Sequence, residues 1–164
     1  LQQYGRRSSV RVYGLELKEN ESEVMLGNEI EKCYKHSNIT YDKNEIDRYH
    51  RIGPVYEQNG KKMQSVIIKF KSWEARQKFY KGRPRRFVRG KKKPGAVKYT
   101  VSLDLTRRRY LLFQKAKERS KSNNNVNFVF VNDNCALAIR FNDDKIQYFN
   151  TESELMRLLP NGSE

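Results

Sequence analysis

The stretch SVIIKFKSWEARQKF, residues 65–79, decides the fold, because the spacing of its apolar residues changes partway along. Val66, Ile68 and Phe70 alternate with Ile67 and Lys69, the period of two expected of a strand that buries one face. After Ser72, placed as an N-cap, Trp73, Ala75 and Phe79 take over at helical spacing. Upstream, EIDRYHRIG (45–53) reads as another short strand, stopped by Gly53-Pro54 and joined through GPVYEQNGKK to the one just described. Further upstream, SVRVYG (9–14) alternates Val10 and Val12 with Arg11 and Tyr13 as a half-buried strand. Asn20 with Glu23 has capping-box spacing, and Leu26, Ile30 and Cys33 then mark a helix of about four turns. Downstream, VKYTV (97–101) predicts a fourth strand. The order is β-α-β-β-α-β, the ferredoxin-like plan, in which two helices cover one face of a four-stranded antiparallel sheet and leave the other available.

A second unit follows. Thr106 to Ser120 predicts a helix, and NFVFV, ALAIRF and IQYF predict three strands separated by the turn sequences NDNC and NDDK. Thr151 with Glu154 caps a last helix that carries Leu155, Met156, Leu158 and Leu159. The fold class is therefore α+β: residues 9–101 form the β-α-β-β-α-β domain and 102–164 a small α-β-β-β-α domain. Residues 1–8 read as the end of an upstream helix or a linker, with Gly5 as the stop. The chain begins at Leu1 rather than Met, from which an upstream part is expected.

The charge points to a partner. Of the net +15, residues 83 to 121 hold fifteen Lys and Arg against Asp104 and Glu118, that is +13, and the rest is nearly neutral. Concentration of this kind is the footprint of a polyanion site, because each phosphate neutralised releases a counterion. No segment has the roughly 20 apolar residues of a membrane span, so no membrane partner is expected. Cys33 and Cys135 fit small buried hydrophobes of a reducing compartment, and no Cys/His cluster has zinc spacing. No metal or other cofactor is expected.

The densest basic run is RPRRFVRGKKK, residues 83–93, with seven cations in eleven residues. Arg85, Arg86, Arg89, Lys91 and Lys92, with Lys98 beyond it, are candidate phosphate contacts. Broken by Pro84, Gly90 and Pro94, the run reads as a mobile clamp between the second helix and the fourth strand; it is also compatible with a nuclear import address. On the open sheet face the pattern places Arg11 and Tyr13, then Ser65, Ile67 and Lys69, a platform poor in stacking groups that favours phosphate and sugar contacts over base readout. Along RRRYLLFQKAKERSK (107–121), Leu112, Phe113 and Ala116 share the core face and Arg108, Lys115 and Arg119 form a stripe beside it. Arg109 falls in the apolar sector, where it must meet a carboxylate or a bound phosphate. Three Arg in the first turn also oppose the helix dipole, which favours anions there. Arg6 and Arg7 form a further small group, read equally well as helix-end charges. His50, flanked by Arg51, has no titratable partner at telling spacing and is assigned no catalysis.

Taken in order, QQYGRRSSVRVYGL, EIDRYHRIG, SVIIKFKSWEARQKF and VSLDLTRRRYLLFQKAKE resemble the first-open-reading-frame protein of LINE-type non-LTR retrotransposons. The closing FVFVNDNCALAIRFNDDKIQYFNTESELMRLL is similar also to the C-terminal region of the baculovirus few-polyhedra protein. The resemblance implies a noncanonical RNA-recognition motif with a C-terminal domain, a cleft for single-stranded RNA, and nucleic-acid chaperone activity in cytoplasmic ribonucleoprotein particles, with the nucleus as a second location. It implies a homotrimer where an upstream coiled coil is present. It places Arg6, Arg7, Arg51, Arg108 and Arg109 at RNA-contacting positions; the basic run is longer than the family pattern.

Two further readings stand beside it. One is a viral accessory or assembly protein whose basic surface meets an acidic protein partner. The other, an enzyme, is not expected: the chain has no HExxH, no GxxxxGK[ST] and no clustered carboxylates. Single-stranded RNA and single-stranded DNA are not distinguished, since 2′-hydroxyl contacts leave no motif. Tyr13, Tyr99 and Phe87 are the candidate base-stacking rings.

Overall fold

The computed structural model describes residues 2–85, 87–88, 91–92 and 95–160. The chain is α+β, with a four-stranded antiparallel sheet, a three-stranded sheet and four α-helices. It divides into two compact units, residues 8–104 and a second made of 1–7 with 105–164.

In the first unit, β1 (Ser9–Tyr13), β2 (Ile46–Gln58), β3 (Lys61–Phe70) and β6 (Thr100–Leu103) form a sheet in the order β2-β3-β1-β6. Helices α1 (Glu23–His36) and α2 (Trp73–Lys81) follow β1 and β3. Alternation does the sorting: Val10, Val12, Val66, Ile68, Phe70, Val101 and Leu103 are buried, together with Leu26, Ile30, Cys33 and Tyr34 of α1 and Ala75 and Phe79 of α2. The Phe79 ring lies 5.4 Å from Phe70 and 5.0 Å from Tyr34, tying sheet and helices together. Gly27, inside α1, costs about 1 kcal/mol of helix propensity relative to alanine. Its bare backbone admits Tyr49, whose hydroxyl would stand 2.5 Å from any Cβ there and donates to the Glu23 carbonyl at 3.0 Å.

Several local expectations are corrected. The α1 N-cap is Ser22, whose Oγ accepts from Met25 N at 3.2 Å, not Asn20, which takes a left-handed φ of 53° in the preceding turn. Gly53-Pro54 does not stop β2. The ladder is interrupted between Ile52 and Tyr56, with Gly53 at φ 82°, and then continues to Gln58 opposite Lys61. A bulge accommodates the proline that a regular ladder would reject. The fourth strand of the sheet starts at Thr100 rather than Val97. Between α2 and that strand, β4 (Phe87–Val88) and β5 (Lys91–Lys92) pair antiparallel as a short ladder within the basic run.

In the second unit, α3 (Arg107–Ser120) and α4 (Glu152–Leu158) accompany β7 (Val126–Val131), β8 (Leu137–Phe141) and β9 (Ile146–Phe149), paired in that order. Leu112, Ala116, Leu137, Ile139, Phe149, Leu155 and Leu159 make its core. Thr106 caps α3 and Thr151 caps α4; the expected capping box at α4 is half made, because the Glu154 carboxylate accepts from the Thr151 hydroxyl rather than from its backbone N–H. Gly5 does not end a helix: it lies inside a 3-10 turn, Tyr4–Arg6. That turn is fastened by buried Gln3, whose Oε1 accepts from Thr106 N at 2.8 Å, and by Arg6, which donates to the Leu105 carbonyl.

Candidate nucleic-acid interface

Cross-strand register fixes what the open face of the first sheet presents. Arg11 stands between Ser102 and Ile67, with His50 beyond Ile67; Ser9 pairs with Lys69, and Lys69 with Arg48. Tyr13, two residues from Arg11 on the same face, is 36% exposed. The face is thus basic and hydroxyl-bearing with one tyrosine ring, a surface suited to phosphate and sugar contacts rather than to extended base stacking. Arg11 is partly committed, since its Nε bonds the buried Asp104 carboxylate at 2.9 Å. Burial works against its charge, but Asp104 more than offsets that and holds its pKa up. Tyr99 does not join this surface. Its side chain is buried, its hydroxyl lies 3.2 Å from His36 Nδ1, and burial beside Cys33 pushes its pKa up. Burial likewise pushes the Cys33 thiol up to about 12.

Lys98, Arg85 and Lys91 are exposed. Lys92 is the β5 residue paired with Phe87. Arg86 and Arg89 lie outside the described residues.

Arg51 has a different office. Its Nε and Nη2 hold the Glu21 carboxylate at 2.9 and 2.7 Å, while Nη1 and Nη2 reach the carbonyls of Leu15, Gln64 and Glu16. All five N–H donors of the guanidinium are therefore used within the unit, and the pair is 10% and 6% exposed. It pins the β1–α1 loop to the sheet.

The basic stripe of α3 is also engaged. Arg108 bonds the carbonyl and the side-chain oxygen of Asn150 at 2.7 and 3.1 Å, Lys115 pairs with Glu152, and Arg119 donates to the Leu159 carbonyl at 3.0 Å. The row holds the start and the end of α4. Arg109 is met by a main-chain group: its Nη1 donates to the carbonyl of Cys135 at 2.6 Å. The NDNC turn makes this possible, because Cys135 takes a φ of 64° while Asn132 Oδ1 accepts from Asn134 N and Ala136 N. A carbonyl is a weaker counterpart than a carboxylate, and one that inspection of charges alone overlooks. Arg107 is exposed. Arg7 lies with its guanidinium 3.9 Å from the Tyr4 ring centroid, a cation-π stack.

Among the described residues no group of three His, Cys, Asp or Glu is placed to hold a metal ion, and no helix is long and apolar enough to cross a membrane. No protein-family model matches the chain, and no curated protein matches it significantly.

Proposed function

We propose that the chain binds single-stranded RNA in a sequence-tolerant way, through a noncanonical RNA-recognition motif of ferredoxin-like plan at residues 8–104. The observation that carries this reading is the +13 of charge in residues 83–121, against a near-neutral remainder. The strand order β2-β3-β1-β6, with two helices on one side and Arg11, Tyr13, Arg48 and Lys69 on the other, supports the same reading. Of the candidate cations, exposed Lys91, Lys98, Arg85 and Arg7 are suited to phosphate, and exposed Arg107, outside that set, joins them. Arg51, Arg109 and Arg119 serve the fold. Coating of retrotransposon RNA and chaperone activity in ribonucleoprotein particles extend the proposal on the strength of the family resemblance.

Fluorescence anisotropy of a labelled RNA oligomer in rising KCl tests it. Affinity should fall steeply, with a log–log slope of about −0.7 for each phosphate neutralised. An affinity indifferent to salt overturns the proposal. A protein partner that co-purifies and survives nuclease digestion would instead favour assembly through an acidic protein.

A further inference from the structure

The second unit carries a surface that the charge pattern does not reveal. Across its sheet, Val131, Leu137 and Phe149 align, as do Val129 and Ile139, and these face the core. The intervening rows, Phe130–Ala138–Tyr148 and Phe128–Arg140–Ile146, occupy the opposite face. Phe128 is 43% exposed and Tyr148 55%. The Phe128 and Phe130 rings lie 5.4 Å apart, and the Arg140 guanidinium sits 5.8 Å from the Phe128 ring centroid. Ala138, between Phe130 and Tyr148 in its row, is fully buried, so the row presents its rings and not a groove.

Resting on the RNA-binding reading, we propose that this outer face is a stacking platform for unpaired bases, separate from the basic sheet face of the first unit. Three rings and a guanidinium plane on one face offer successive π-surfaces, which single-stranded nucleic acid uses without regard to sequence. Arg140 Nε is buried and pairs with Asp144 Oδ1 at 3.5 Å, while the side chain as a whole stays 39% exposed beside the rings. Charge selects the occupant. Residues 2–7 and 105–160 hold twelve Lys and Arg against six Asp and Glu, net +6, so a polyanion is attracted and a second copy of this chain is repelled.

Phe128→Leu with Tyr148→Leu keeps the face apolar and removes two rings. The intact chain and this variant would each be titrated with oligouridine and with an abasic phosphodiester of equal length. The variant should bind oligouridine about tenfold or more weaker, since stacking on a ring is worth a factor of that order per base. Its affinity for the abasic strand and its salt slope should not change. Tyr148→Trp should restore the ring and show quenched indole emission on binding. If the double variant binds oligouridine as the parent does, the platform is overturned while RNA binding stands. If the parent binds neither strand, the RNA-binding reading fails first. Self-association of the parent that the double variant abolishes, with oligouridine affinity unchanged, would make the face a contact between copies and overturn the inference.

Discussion

Arg51 shows how an arginine that looks available in a sequence is settled by its neighbours. Its partner Glu21 is almost fully covered, and three main-chain carbonyls complete its hydrogen bonds. Removing one member of such a pair leaves a buried charge uncompensated. Arg51→Ala should destabilise the first unit by about 3 kcal/mol, read as a lower urea midpoint with unchanged m-value, and should not change the salt slope of RNA binding. Arg109 allows a parallel test. Arg109→Ala removes a bond to the Cys135 carbonyl and should cost about 1–3 kcal/mol, whereas Arg108→Ala, at an exposed site, should cost less than about 1 kcal/mol. Cys33 gives a pH signature. Burial raises its pKa from 9.0 to about 12, so the folded state favours the neutral thiol. The sign follows: its contribution is complete below pH 9.0 and is lost as pH rises toward about 12. Chemical denaturation of the parent and of Cys33→Ala across that window should show the shallower decline in the variant.

At the scale of elements, the helices and strands that bury one face were readable, because burial writes a period into the chain. Val66, Ile68 and Phe70 turn inward as their alternation requires, and Ser72 accepts from Ala75 N at 3.0 Å as a cap should. Ser72→Ala should lower stability by about 1 kcal/mol, visible as faster amide exchange in the first turn of α2. What the sequence concealed are positions where two local rules compete. Asn20 and Ser22 both offer caps, and only the left-handed backbone at Asn20 decides between them. Gly53-Pro54 is a sound stop signal that cross-strand pairing overrides through a bulge. The fate of the α3 cations was hidden for another reason. Lys115 meets the Glu152 carboxylate, but the partners of the α3 arginines are carbonyls at Cys135 and Leu159 and an amide at Asn150, which carry no charge to pair by inspection. The aromatic face of the C-terminal sheet was concealed too, since Phe128, Phe130 and Tyr148 read equally well as core until register assigns them to the outer side.

For the molecule as a whole, the uneven charge governs behaviour in solution. A chain with +13 packed into 83–121 should bind polyanions at rates and affinities that fall with ionic strength. The arrangement of the two units adds something independent of charge. Gln3 and Arg6 belong with Leu105 and Thr106, so the whole of 8–104 is inserted between partners that meet only after it. β1 and β6, the first and last strands of the inserted unit, are neighbours, with Val10 opposite Leu103. During synthesis the inserted unit can close as soon as β6 leaves the ribosome, whereas the other must wait for β7 to α4 while its N-terminal strap stays idle. A ribosome stalled shortly after residue 104 has emerged should therefore display a protease-resistant first unit and a cleavable N-terminal segment. The order of birth along the chain thus makes the inserted unit the earlier to mature and the flanking unit the later to close on itself.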